Sequence, residues 1–271
     1  MKIINASAEI LNPDFSDAKE TEDILQRIEL AGRTCYKSVD HITPVSARNF
    51  AEKIVANHHE AMLEHACMTV RFIVDRGVSH ELVRHRVASF AQESTRYCNY
   101  SKDKFGKEIT VIKPVFFGNI PTHEIEDFYN ERPVLRNVFE DKFPAAVHWY
   151  HSCLTAEAAY FNMLEEGCTP QEARSVLPNS LKTEVIMTAN IREWRHFFRL
   201  RAACETGMPH PQMLEVAVPL LQQCREAMPE LFSDIVVPDD VLKKYGVKNV
   251  AVDAEHAEVR DETDACGRME D

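Results

Sequence analysis

No stretch of this 271-residue chain approaches about 18 consecutive apolar residues, and no charged-then-apolar leader opens it. Neither a membrane span nor a signal peptide is therefore expected. There is no CxxC pair: the eight cysteines stand singly, which supports neither a zinc site nor a disulfide framework and makes a reducing, cytoplasmic setting the expectation. No GxGxxG follows any predicted strand, which argues against a doubly wound dinucleotide fold. Internal repeats and low-complexity linkers are absent too. Basic residues are in deficit, and a formal net charge of -12 excludes a general nucleic-acid surface, since phosphate backbones need a basic face. It does not exclude a small anionic ligand, which needs only a local pocket of positive charge.

What remains is an ordinary globular composition, 45% hydrophobic and 27% charged, long enough for one sizeable core. Lys2 to Ala6 has β character. Asp17 to Cys35 reads as a helix from the spacing of Ile24, Leu25, Ile28 and Ala31. Thr43-Pro44 predicts a cap and first turn leading into Phe50, Ile54 and Val55. Cys67 to Val74 alternates as a strand, with Met68, Val70, Phe72 and Val74 on one side. Gly77 breaks it, and Ser79 is expected to cap a short helix ending near Arg86. Ile109 to Ile112 is a second strand. Glu124 to Glu166 is mostly helical, with Pro133 and Pro144 as starts or breaks. Thr169-Pro170 opens a short helix that Pro178 ends, Thr183 to Ile191 is a buried strand, and helices follow from Arg192 to about Cys204 and from Pro211 to Met228. Between Asp239 and Asp271 stand ten acidic and five basic residues with few large apolar ones, so weak structure is expected there. The expected architecture is α+β, an antiparallel-leaning sheet packed against several helices, as one domain over residues 1–235 with an acidic tail over 236–271.

Two segments concentrate anion-binding groups. Residues 84 to 97 contain Arg84, His85, Arg86 and Arg96 together with Ser89, Gln92, Ser94 and Thr95. Guanidinium groups present a planar fork of donors that matches phosphate and carboxylate oxygens, and hydroxyls fill the remaining positions. The bland alternative is a helix end whose cations favour the negative pole of the dipole, which suits one arginine better than a whole run. The second segment is Asn190 to Arg201. On a helix it places Arg192, His196 and Arg199 near one face and Trp194, Phe197 and Phe198 near another. A merely solvated basic side is the expectation for Arg195 and Arg199. Two histidine-rich stretches, 58–65 and 80–85, invite a metalloprotease reading and fail it. Their histidine gaps of six and five residues miss the four-residue spacing that shares a helix face, so no metal is expected.

The order Arg84-His85-Arg86, seven residues, then Ser94 resembles the hallmark of the flavin-dependent thymidylate synthases. Three further stretches are similar to that family in order and spacing: His59-Glu60-Ala61-Met62-Leu63-Glu64-His65, Arg174 before Ser175-Val176-Leu177-Pro178, and Asn190-Ile191-Arg192 followed by His196 and Arg201. The resemblance runs from Arg33 to about Gln212. It implies methylation of dUMP to dTMP with methylenetetrahydrofolate as carbon donor, NADPH as reductant and FAD as cofactor, in a homotetramer whose active sites sit at subunit junctions. Arg174 and the Arg-His-Arg run would then come from different chains. Residue by residue, it implies flavin contacts at His59, Ala61, Arg84, His85, Arg86, Gln92, Asn190, Arg192 and His196. It implies dUMP contacts at Glu81, Arg84, Gln92, Glu93, Ser94, Thr95, Arg96, Arg174 and Arg201, with Arg201 activating the uracil ring. This chain departs from the pattern at Ala61, where relatives often carry threonine and only a backbone contact carries over. It departs also at Glu81, where glutamine is common, at His196, where asparagine is frequent, and in Ala91-Gln92-Glu93.

The chemistry fits those residue types. Methylating a uracil ring puts negative charge on it, which a fixed guanidinium stabilises. The Pro-Cys-His-Gln run that supplies a thiol in conventional thymidylate synthases is missing, and no base at convincing spacing activates Ser94. Reduced flavin would do the hard chemistry. The competing readings are a non-catalytic nucleotide- or flavin-binding protein and a flavin reductase acting on another substrate.

Overall fold

The computed structural model describes residues 1–118, 120–131 and 143–247. Ten α-helices and six strands follow one another among them. Strands β1 (Lys2–Ile4) and β2 (Ser7–Asn12) lead to helix α1 (Ala18–Cys35), whose first turn is capped by the Asp17 side chain. Helix α2 (Ser46–Ala56) and a 3₁₀ stretch at Glu60–His65 precede strand β3 (Cys67–Asp75), helix α3 (Arg76–Leu82) and strand β4 (Ala88–Gln92). Strand β5 (Thr110–Ile112), helices α4 (Thr122–Glu131) and α5 (Phe143–Glu165), and the single turn α6 (Pro170–Ala173) come next. Strand β6 (Lys182–Asn190) then runs into α7 (Ile191–Arg201), α8 (Pro211–Ala227), α9 (Pro229–Phe232) and α10 (Asp239–Tyr245). None of these helices is long and apolar enough to cross a membrane.

The principal sheet has the order β2-β3-β6-β4, and every neighbouring pair in it is antiparallel. A two-stranded parallel sheet, β1 with β5, stands beside it. The fold is α+β, as expected. Alternation in β3 places Met68, Val70, Phe72 and Val74 on one fully buried face, and α7 covers that face with Trp194, Phe197 and Phe198. The Trp194 ring stacks 6.3 Å from Phe72, and its indole N–H donates to the Met68 carbonyl at 2.9 Å. Polar side chains of α7 are left at the margins of this contact. A close approach of α1 and α2 forms the far side of the same core: a Cβ at Gly32 would crowd the Phe50 ring, which would have to shift to admit it. A second core, with Tyr100, Ile109, Val111, Tyr160 and Leu181, joins β5 to α5.

Several local expectations need correction. Helix α3 begins at Arg76 and is capped by Asp75, whose Oδ1 accepts from Val78 N at 2.7 Å; Ser79 lies inside it, and Gly77 is part of the helix rather than a break. The helix closes at Leu82, so Arg84, His85 and Arg86 occupy the turn after it and not its last turn. Helix α2 begins at Ser46, two residues past the expected Thr43-Pro44 start. Strands β2 and β4 were not read in the sequence: both have exposed or half-exposed faces, and β4 lies within the polar run. Pro133 falls outside the described residues, as does the acidic tail from residue 248 onward. The part of that tail described here forms α10, which buries Val241 and packs on α8.

Candidate active site

Strand β6 leads directly into α7, and Asn190 makes the junction. Its side chain accepts the Glu193 N–H at 2.9 Å and caps the helix. This fixes the direction of everything α7 carries. Helix α3 runs back along the sheet from the end of β3 and releases the chain at Leu82, so the Arg-His-Arg turn lands beside α7 before β4 starts. Within the turn the three residues separate. Arg84 and Arg86 are exposed and hold no carboxylate among the described residues, whereas His85 points inward and is only 5% exposed.

His85 Nδ1 lies 3.2 Å from Glu193 Oε1, and its Nε2 accepts Arg201 Nε–H at 3.2 Å. Arg201 Nη1 donates to Glu81 Oε2 at 3.0 Å. Burial first, then the positive charge of Arg201 and the neighbouring His196, lower the His85 pKa to about 4. The imidazole is therefore neutral at working pH. Burial also raises the Glu193 carboxyl. His196 is exposed, its ring 6.0 Å from that of His85. Next to this cluster is a cleft of about 370 Å³ lined by Asn190, Arg192, His196, Glu64 and Val87 among others. Arg192 pairs with Glu64 at 2.5 Å there, with both side chains about half exposed. A solvated ion pair of this kind is worth little and opens readily to a competing anion.

A second polar cluster forms where β4 ends. Glu93 accepts from Lys182 Nζ at 3.0 Å and from the Tyr100 hydroxyl at 2.9 Å, and its carbonyl accepts from Arg76 at 3.3 Å. Burial and the Glu93 charge raise the Tyr100 pKa, which keeps that hydroxyl a donor. Arg174, in the 3₁₀ turn after α6, donates to Thr95 Oγ1 at 3.3 Å. The Thr169–Glu172 capping box and Pro170 hold that turn. Ser94 Oγ accepts from Arg96 N at 3.3 Å, and the Arg96 guanidinium lies 5.4 Å from the Tyr97 ring. The Gln92 amide donates to Ser79 at 3.0 Å and to Thr183 at 3.3 Å, so its nitrogen is engaged within the fold.

The predicted residues thus fall into two groups. Glu81, His85, Asn190, Arg192, His196 and Arg201 gather at the Asn190 end of β6, whereas Glu93, Ser94, Thr95, Arg96 and Arg174 gather past its Glu184 end. Six residues of strand separate the ends, about 20 Å. His59 lines a third groove, about 480 Å³, with Arg33, Tyr36, Phe50 and Lys53, and Ala61 is exposed on the 3₁₀ stretch beside it. Glu193, Lys182 and Tyr100 were not singled out in the sequence. For Glu193 a signal existed: an acid three residues past an asparagine cap, preceding an apolar helical run. The other two gave none.

The solvated role expected for Arg195 and Arg199 is overturned. Arg195 is fully buried and forks onto Asp234 with two bonds of 2.7 Å, meets Glu60 at 3.1 Å, and donates also to the Leu231 carbonyl. Arg199 shares Glu60 at 3.2 Å. Charges buried this deeply are paired because an unpaired one is prohibitive.

A family model described as thymidylate synthase complementing protein matches residues 18–230. The flavin-dependent thymidylate synthase of Corynebacterium aurimucosum is 34% identical over 225 residues, covering 80% of this chain and 81% of the relative. That of Geobacter sulfurreducens is 31% identical over 223 residues, covering 80% and 84%. Among solved structures, the UMP/dUMP methylase PolB from Streptomyces cacaoi bound with 5-Br dUMP superposes with a TM-score of 0.63 at 20% identity, covering 91% of this chain and 98% of that one. That likeness is one of fold.

Proposed function

This chain belongs to the thymidylate synthase complementing protein family and is an enzyme, and from that premise we propose that it methylates dUMP to dTMP, with FAD as cofactor, methylenetetrahydrofolate as carbon donor and NADPH as reductant. The observation that carries the reading is the setting of Arg201. Its Nε and Nη1 are committed to His85 and Glu81, while no described residue takes Nη2. A guanidinium held on one edge and free on the other is a preorganised donor for charge that develops on a pyrimidine ring. It needs no reorganisation at the moment of reaction.

The cleft at Asn190 suits a flavin dinucleotide by its donor set. Among the described residues Arg192 is held only by a solvent-exposed partner, His196 is exposed, and the guanidiniums of Arg84 and Arg86, nearby in the chain, are uncommitted. When bound, the flavin supplies the hydride chemistry. The protein binds, orients and stabilises charge. Arg174 and Thr95 offer the donors that a phosphate requires. Their distance along β6 from the Arg201 cluster favours a site completed by a neighbouring subunit, in keeping with a homotetramer. Burial raises the thiols of Cys98, Cys153 (to about 12), Cys204 and Cys224, so none of these is a thiolate at neutral pH. A route without a cysteine nucleophile agrees with that.

Tritium release from C5 of labelled dUMP, with folate and NADPH present, tests the proposal. Release is expected from the yellow, flavin-loaded protein, and Arg201→Ala should abolish it while the colour stays. A loss of about 2.7–4 kcal/mol in transition-state stabilisation is the expected scale, by comparison with single oxyanion donors. NADPH oxidation that ignores dUMP would point instead to a flavin reductase.

A further inference from the structure

We infer that Glu193 is a positioning residue: through His85 it fixes the orientation of the Arg201 guanidinium. This rests on the role proposed above for Arg201. Guanidinium nitrogens only donate, so the His85 Nε2 that receives Arg201 Nε–H must be bare. A neutral imidazole keeps one proton, which therefore sits on Nδ1, where Glu193 Oε1 accepts it at 3.2 Å. Glu193 selects the tautomer, and the tautomer presents the lone pair on which Arg201 rests.

The ring has little freedom to choose otherwise. It is buried, with Phe197 edge-on at 5.0 Å. The ionisable groups facing it are Glu193 and His196 on α7, Arg201 at the end of that helix, and Glu81 on α3 behind Arg201. With Glu193 gone, the Nδ1–H loses its acceptor, and among the described residues only the Arg201 Nε–H itself still favours a bare Nε2. The other tautomer would aim an N–H at an N–H and turn Arg201 away. Glu193 is itself aimed by the cap, since its backbone N–H is tied to Asn190. The line Asn190–Glu193–His85–Arg201 thus joins the cleft to the free guanidinium edge.

The test compares Glu193→Ala, Glu193→Gln and Arg201→Ala in the full-length, flavin-loaded protein. An amide oxygen accepts the same proton, so Glu193→Gln should keep kcat within about threefold, whereas Glu193→Ala should lose at least about tenfold. Nitrogen-15 NMR of His85 gives a readout apart from turnover: wild type and Glu193→Gln should show the Nδ1–H form, and Glu193→Ala a shift towards Nε2–H. An Nε2–H imidazole in the wild type overturns the inference whether or not any variant folds. So does full turnover in Glu193→Ala alongside an inactive Arg201→Ala, which leaves the proposed function standing. If Arg201→Ala itself turns over normally, that function falls and this inference with it.

Discussion

A histidine flanked by two solvated arginines, yet itself withdrawn from water, sets the acid behaviour of the site. His85 has its pKa lowered from 6.5 to about 4, by burial and then by Arg201 and His196. A base whose folded-state pKa is depressed stabilises the fold above its unfolded value and loses that contribution as the pH falls. Melting temperature should therefore drop between about pH 6.5 and 4, and His85→Gln should flatten that slope. Glu215 behaves in the opposite sense. Its Oε2 is buried with no hydrogen-bond partner among the described residues, and burial raises its pKa from 4.5 to about 7, with Lys113 opposing the rise and Asp75 adding to it. Stability linked to such an acid is complete below pH 4.5 and declines as the pH climbs towards 7. Glu215→Gln should therefore raise the melting temperature at pH 8 and have little effect at pH 4.5. Allowing for partial solvent screening, the gain is on the order of 1 kcal/mol.

Helix α7 shows how much of the site can be read from residues in order. Its apolar stripe and the alternation of β3 are periodic signals, and they placed β3 within one residue, and α7 within three, of the observed bounds. The resemblance supplied Arg201, Arg192 and Arg174. What could not be read were contacts between distant positions: Arg195 seeks Asp234, 39 residues on, and Glu60, 135 residues back. A basic face on a helical wheel looks the same whether it meets water or buried acids. Strand β4 was hidden for a related reason, because Ala88–Gln92 is short and lies on the sheet's edge. Arg195→Ala should destabilise the fold by about 3–5 kcal/mol, since it strands two carboxylates at least partly withdrawn from solvent. Chemical denaturation measures it, with Arg199→Ala, at a more exposed site, expected to cost clearly less.

For the whole molecule, the separation of the Arg201 and Arg174 clusters makes a testable statement about assembly. If each site takes one cluster from either of two subunits, the inactive variants Arg201→Ala and Arg174→Ala should rescue one another. Denatured together and refolded, they form some junctions with both arginines intact. About a quarter of the wild-type turnover is expected from equal, random mixing of sites, each needing one intact cluster from each of two chains. No recovery in refolded mixtures, with wild type recovering fully under the same protocol, would place both clusters in one protomer's site.

The buried fork of Arg195 also bears on how this chain can diverge. Glu60 stands ahead of β3, Asp234 follows α9, and α7 lies between them, so one cation ties together three stretches far apart in the gene. Losing any one member leaves the others short of a partner, whereas exchanging all three for apolar residues of similar bulk costs little where Arg199, which shares Glu60 and Asp234, keeps Glu205. Drift through single steps is blocked at these positions. Descendants of a common ancestor should therefore carry either the ionic trio or an oily replacement for it, and mixed combinations should be purged.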